Sequence, residues 1–212
     1  MREKMNKHFF IPLMLCLVPF IISTVFYNQL PAQVAVHFDN AGNPDNYAPK
    51  LFAAFGIPAI MLGIYLYSWF RNATDPKRDY SSETLKLLIR WTIPVVATVM
   101  QLALFSYAIG IEINQSLYGS LIIGLLIILA GNYLPKCRQN YTIGIKLPWM
   151  LHDENNWNKT HFLAGWLWVV GGFLIIINTF LTIPWLSFTV IILLVIIPFV
   201  YSYTLYKRTA SH

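Results

Sequence analysis

Two sets of side chains have types and spacing that could do chemistry. Glu154, Trp157 and His161 stand at i, i+3 and i+7, so on a helix they share one face. A carboxylate and an imidazole on one face suit proton handling or metal binding. Two turns separate them by ~10 Å along the axis, too far for a pair to share one ion. A helix cap with an amphipathic contact explains them more simply: Asp153 suits an N-cap, and Glu154 suits the positive end of the helix dipole. The second set is His37, Asp39 and Asp45. On a strand His37 and Asp39 face one side, but a zinc site needs at least three protein ligands and no third is evident. Turn formation accounts for Asp39 and Asp45 within Asp39-Asn40-Ala41-Gly42-Asn43-Pro44-Asp45-Asn46. No metal or cofactor is expected at either place.

The elements that carry these residues are apolar. Of 212 residues 57% are hydrophobic and 11% charged, against about 25% charged in soluble domains. Six runs lack Asp, Glu, Lys and Arg: 9–27, 51–70, 91–111, 117–134, 162–183 and 185–206. Each is near the ~20 residues that a bilayer-spanning helix needs. The expected fold is therefore all-α, a polytopic membrane protein of six transmembrane helices, with structured loops at 30–50 and 135–161. Three modules are expected: 1–70 (helices 1 and 2), 71–116 (a basic connection and helix 3) and 117–212 (helices 4 to 6). Pro19, Pro58 and Pro198 are interior and predict kinks, whereas Pro94 and Pro184 fall near helix starts. Ser81-Ser82-Glu83 marks another helix start.

All but one of the 15 Lys and Arg residues lie on the side of the two termini, the exception being Lys50. That distribution puts both termini in the cytoplasm, the 30–50 loop outside and the 135–161 loop inside. It also accounts for the net charge of +6 without direct nucleic-acid binding. Trp69, Trp91, Trp149, Trp157, Trp166 and Trp168 gather near the inner boundary and Trp185 near the outer one. The few polar residues inside the runs, Gln101, Asn132 and Asn178, suit interhelical hydrogen bonds. Intramembrane charges, the usual mark of ion pathways, are missing. Cys16 and Cys137 fall at different depths, against a disulfide. The first run ends at Leu30-Pro31 and the fourth at Leu134-Pro135, each before a long loop on opposite sides, a pattern compatible with an inverted repeat of three helices.

The stretch 131–172 resembles the signature of the SdpI family of bacterial membrane proteins. The resemblance rests on Gly131-Asn132, Pro135, Asn140-Tyr141, Gly144-Ile145, Pro148-Trp149, Leu151, Glu154, Trp157, His161, Gly165 and Gly171-Gly172. The 30–50 loop resembles a module that often precedes it, through Leu30-Pro31, Val34, His37, Gly42, Pro44-Asp45 and Lys50. Where that family commonly has Arg-Thr before Pro-Trp, this chain has Lys146-Leu147, losing a forked guanidinium. The resemblance implies a non-enzymatic immunity protein of the bacterial cell membrane that meets a secreted, membrane-active toxin peptide and draws a cytoplasmic repressor protein to the bilayer. It marks Asn140, Gly144, Pro148, Trp149, Glu154, Trp157 and His161 as a docking element, and His37, Asp39, Gly42, Pro44 and Asp45 as a toxin-facing loop. A small transporter or exporter of toxin or lipid, and a membrane enzyme acting at Glu154 and His161, stay open as alternatives.

Overall fold

The computed structural model describes residues 2–39, 41–76, 83–111, 113–183 and 185–210. Lys77, Arg78, Ser81, Ser82 and Pro184 lie outside the described residues. The elements run α1 (Arg2–Phe26), β1 (Gln33–Phe38), β2 (Pro44–Pro49), α2 (Ile57–Thr74), α3 (Glu83–Ala108), α4 (Gln115–Tyr133), α5 (Glu154–Leu181) and α6 (Leu186–Ala210). Among the described residues six helices are long and apolar enough to cross a membrane. The chain divides into two compact units, one of Met1–Arg71 with Lys86–Tyr118, the other of Asn72–Leu85 with Gly119–His212.

In the first unit, α1 ends in a 3-10 turn at Tyr27–Gln29. The structured loop expected at 30–50 holds a β-hairpin, with β1 and β2 antiparallel and the register irregular around His37. Val34 and Ala35 of β1 are buried, while Asp45, Asn46 and Tyr47 of β2 are exposed. One face of the hairpin therefore joins the cluster formed by Leu30, Val34, Ala53, Ala54, Leu104 and Phe105.

Proline 58 shows how a helix break is repaired inside an apolar unit. Residues Phe52–Gly56 form a π turn, in which the Ile57 N–H bonds Phe52 O. In that register Ala53 O would accept from residue 58, which as proline has no N–H. The Gln101 amide fills the gap: its Nε2 donates to Ala53 O at 3.1 Å and to Ser23 Oγ at 3.0 Å. Gln101 is 1% exposed, so no water competes. Gln101→Leu is expected to lower the unfolding midpoint in detergent by an amount equivalent to about 2 kcal/mol or more, because it leaves Ala53 O without a partner in a closed interior. An unchanged midpoint would remove Gln101 from this role.

The second unit repeats the device. Pro198 in α6 deprives Leu194 O of its helical donor, and the Trp168 indole N–H of α5 takes that carbonyl at 3.0 Å. Close approach of α4 to α5 depends on two glycine pairs. A Cβ at Gly131 would meet Gly165 O at 2.8 Å, and one at Gly172 would meet Gly124 O at 2.6 Å. Asn178 joins α5 to α6, donating to Ser187 Oγ at 3.0 Å and Ile183 O at 3.2 Å while accepting Ile183 N–H at 3.1 Å. Asn132, by contrast, is exposed.

Pro94 is a correction to the sequence reading. It lies inside α3, because that helix begins at Glu83, eight residues before its apolar run. A helix propagates through polar residues as readily as apolar ones, so hydropathy marks the buried part and not the start.

Candidate functional site: the 135–161 loop and the start of α5

Asp153 caps α5 as its sequence suggests, its side chain accepting Asn156 N–H at 2.9 Å. The helix continues without a break to Leu181, so the 154–161 segment is an extension of a spanning helix. Its buried stripe comprises Asn156, Trp157, Thr160, His161, Ala164 and Gly165, the i, i+1, i+4, i+5 pattern of one helix face. Trp157 and His161 share that face as expected. Glu154 does not share their burial: it is exposed, at the margin of the stripe in the first turn, where no element covers it. Trp157, expected at the membrane boundary with the other tryptophans, is fully buried. Its indole N–H donates to Cys137 O at 2.7 Å, which gives the ring a polar partner inside the unit.

His161 is held from both nitrogens. Nδ1 lies 2.9 Å from Trp157 O, and Nε2 accepts Ile145 N–H at 3.1 Å. A backbone amide offers only a proton and a carbonyl only lone pairs, so the ring is the neutral Nδ1–H tautomer. It stacks on Trp157 with centroids 4.1 Å apart. Both ring nitrogens are committed to backbone, which leaves none for a metal or for proton transfer. The turn that delivers Ile145 is built around Gly144, with φ +101°.

Ahead of Gly144, Asn140 folds the chain back on itself. Its Oδ1 accepts Thr142 N–H at 2.8 Å and Ile143 N–H at 2.6 Å, and its Nδ2 donates to Arg138 O at 2.8 Å and reaches Cys137 Sγ at 3.4 Å. Lys146 donates one bond to Thr142 O at 3.0 Å. Burial pushes the Cys137 thiol up to about 11, the Asn140 bond opposing. Its alkylation in the folded protein is therefore expected to rise about tenfold per pH unit, following the thiolate, with no plateau before about pH 11. A plateau near the ordinary value of 9.0 would show that the thiol is exposed.

Pro148–Met150 forms a 3-10 turn ahead of α5. Pro148 is exposed. Trp149 donates from Nε1 to Ser202 Oγ of α6 at 2.9 Å, and its ring meets Phe199, Tyr203 and Tyr206. From Ser202 a buried network continues. Ser202 Oγ donates to Asn156 Oδ1 at 2.8 Å, Thr160 Oγ1 donates to the same oxygen at 3.0 Å, and Asn156 Nδ2 donates to Ser202 O at 2.9 Å. Asn156, Thr160 and Ser202 are not among the residues that the sequence picks out. Asn156 and Thr160 flank Trp157 and His161 at helical spacing and were legible on that ground; Ser202 is a small polar residue in an otherwise apolar run.

The hairpin residues sort differently. His37 Nδ1 and Asp45 Oδ1 are 2.6 Å apart, both side chains exposed. His37 does not pair with Asp39, because β1 ends at Phe38 and Asp39 belongs to the turn. There Asp39 Oδ1 accepts Ala41 N–H at 2.9 Å and Asn43 N–H at 2.8 Å, and these backbone bonds, Asn43 first, hold its carboxyl below the ordinary 3.8. Gly42 takes φ +86°. Pro44 opens β2 opposite Phe38. Among the described residues no group of three His, Cys, Asp or Glu side chains is placed to hold a metal.

Six apolar helices, a hairpin between the first two and a polar-locked loop between the fourth and fifth define a multi-pass α-helical membrane protein. Comparison with known proteins places it further. Residues 136–202 match the SdpI/YfhL protein family, and residues 14–62 match a domain of unknown function, DUF1648. The chain is 28% identical over 207 residues to the immunity protein SdpI of Bacillus subtilis, covering 96% of this chain and 98% of that one. It is 38% identical over 53 residues to the uncharacterized membrane protein YbgB of the same organism, covering 25% of this chain and 55% of that one. No solved structure matches it. The chain thus carries an SdpI/YfhL family segment over residues 136–202 and is similar to an SdpI immunity protein along nearly its whole length.

Proposed function

We propose that this protein is a non-catalytic immunity protein of the bacterial cell membrane, protecting its cell against a secreted, membrane-active toxin peptide. The observation that carries the reading is the similarity to an immunity protein along nearly the whole of both chains. The chemistry of the site supports it. The titratable side chain at the centre of the site, His161, is locked to backbone on both nitrogens, and catalysis needs convergent groups free to act on a substrate. Both termini are cytoplasmic in this reading, from the one-sided distribution of Lys and Arg. The hairpin then faces the arriving toxin, and the 135–161 loop faces a cytoplasmic repressor protein that it recruits. With Trp157 and His161 buried, recruitment falls to the exposed Glu154, Asn155, Asn158 and Lys159.

The test is survival of a toxin-sensitive bacterium expressing the full chain, challenged with a panel of purified membrane-permeabilising bacterial peptides. Protection against at least one peptide is the expected result, and unchanged killing by all of them contradicts the reading. A second reading, export of toxin or lipid, is favoured by one observation: each compact unit contains a helix ending in a 3-10 turn, a structured loop and two further helices, the layout of paired repeats in transporters. Peptide flux from loaded vesicles separates the two, since simple sequestration gives none.

A further inference from the structure

Asp75 lies just beyond the end of α2, outside both stretches that match known families. It is buried, at 5% exposed, in a chain whose charged groups are otherwise mostly at the surface. Its Oδ2 accepts the Tyr141 N–H at 3.0 Å and the Thr142 hydroxyl. These two residues sit in the turn that Asn140 closes, immediately before Gly144 and Ile145. A carboxylate that grips a backbone amide and the next residue's hydroxyl fixes both position and rotation of that turn, through charge-assisted bonds stronger than neutral ones.

We infer that Asp75 is a positioning residue of the signature loop, holding residues 140–145 in the conformation that presents Ile145 N–H to His161. Asn140 supplies only local bonds, to residues within three positions on either side. Such bonds define the shape of a turn but not its place. Asp75 supplies the place, from 66 residues earlier in the chain. Because α2 ends at Thr74, the grip ties the loop to the end of a rigid helix. The other end of that helix adjoins the π turn that follows the hairpin. On the immunity reading, on which this last step rests, loss of the grip disturbs the loop that protection requires.

Two thiols make the test internal. Cys137 belongs to the loop, bonded to Asn140 Nδ2, and Cys16 is buried in α1 of the other unit. The full chain in detergent is treated with N-ethylmaleimide near neutral pH, and modification of each thiol is followed by mass spectrometry. Asp75→Ala is expected to speed Cys137 modification about tenfold or more while leaving Cys16 unchanged, since losing the grip raises the population of the open loop. Asp75→Asn, whose amide oxygen accepts the same two bonds, is expected to restore the slow rate. Thr142→Val gives a smaller rise, and adds little on top of Asp75→Ala because the two remove the same contact. An unchanged Cys137 rate in Asp75→Ala overturns the inference, and so does an equal rise at Cys16, which would mean general loosening. In the survival assay, Asp75→Ala is expected to lose protection at an unchanged membrane level, with Asp75→Asn rescuing it. Failure of the wild type to protect defeats the immunity reading and leaves the alkylation result standing.

Discussion

Gly144→Ala is expected to destabilise the second unit by roughly 3 kcal/mol and to abolish protection. Two costs add. At φ +101° an L-residue is strained by ~1–3 kcal/mol. The new Cβ would also stand 2.5 Å from His161 Nε2 and 3.3 Å from Trp157 Cζ2, and overpacking of this kind costs ~1–3 kcal/mol. The imidazole is stacked on Trp157 and bonded at both nitrogens, so it has no open space to move into. The measurement is the thermal unfolding midpoint in detergent, with Gly119→Ala as the reference. A Cβ at Gly119 meets nothing within 4 Å, and a helical Gly→Ala change at an open site is neutral or stabilising by up to ~1 kcal/mol. Equal midpoints for the two variants would mean that the turn does not need glycine at position 144.

Asn156→Ala is expected to cost about 2 kcal/mol or more, well above Glu154→Ala, which should stay within ~0.5 kcal/mol as an exposed substitution. Asn156 is 1% exposed and its side chain links α5 to α6: it accepts from Thr160 one turn on and is bonded twice to Ser202. Its removal leaves Thr160 and Ser202 with unmatched polar groups in a closed interior, where such groups are expensive. Ser202→Ala combined with Asn156→Ala should cost clearly less than the sum of the two single changes, because each variant removes the same bonds. Strict additivity in chemical or thermal unfolding would show that the network is not a unit.

This ordering reverses what the sequence suggests, and the reason is geometric. The spacing of Glu154, Trp157 and His161 is correct for one helix face, but spacing cannot say where that face ends. Glu154 lies at its edge, and the residue beside Trp157 is the one that bears the bonds. Apolar runs revealed all six helices because a bilayer span has a composition that little else has. They did not reveal helix starts in polar sequence; Ser81-Ser82-Glu83 did mark one, and α3 begins at Glu83, which puts Pro94 in its interior. The hairpin was half legible. Turn formers at 39–46 were visible, but the His37–Asp45 pairing depends on strand register, which sequence spacing does not fix. Asp75 was not legible at all. Its partners lie 66 and 67 residues away, and nothing local distinguishes it from the polar connection around it.

Proline makes the opposite case. Pro58 and Pro198 were expected to disturb their helices, and each leaves a carbonyl that a side chain from another helix occupies, Gln101 for Ala53 and Trp168 for Leu194. A break that the sequence announces thus has its repair elsewhere in the chain, at a residue whose polarity in an apolar run is the only sign of it. In hydrocarbon a backbone group without a partner costs several kcal/mol, so break and repair have to occur together.

On the proposal that this chain is a membrane immunity protein, its 135–161 segment is a locked structural loop and not a catalytic site. Survival of toxin-sensitive cells under peptide challenge tests it most directly, with the wild type, Glu154→Ala and Asn156→Ala compared at equal membrane levels. The expected result is protection by the wild type, close to full protection by Glu154→Ala, and loss with Asn156→Ala. Absence of protection by the wild type against every peptide, or full protection by Asn156→Ala with loss in Glu154→Ala, would contradict it.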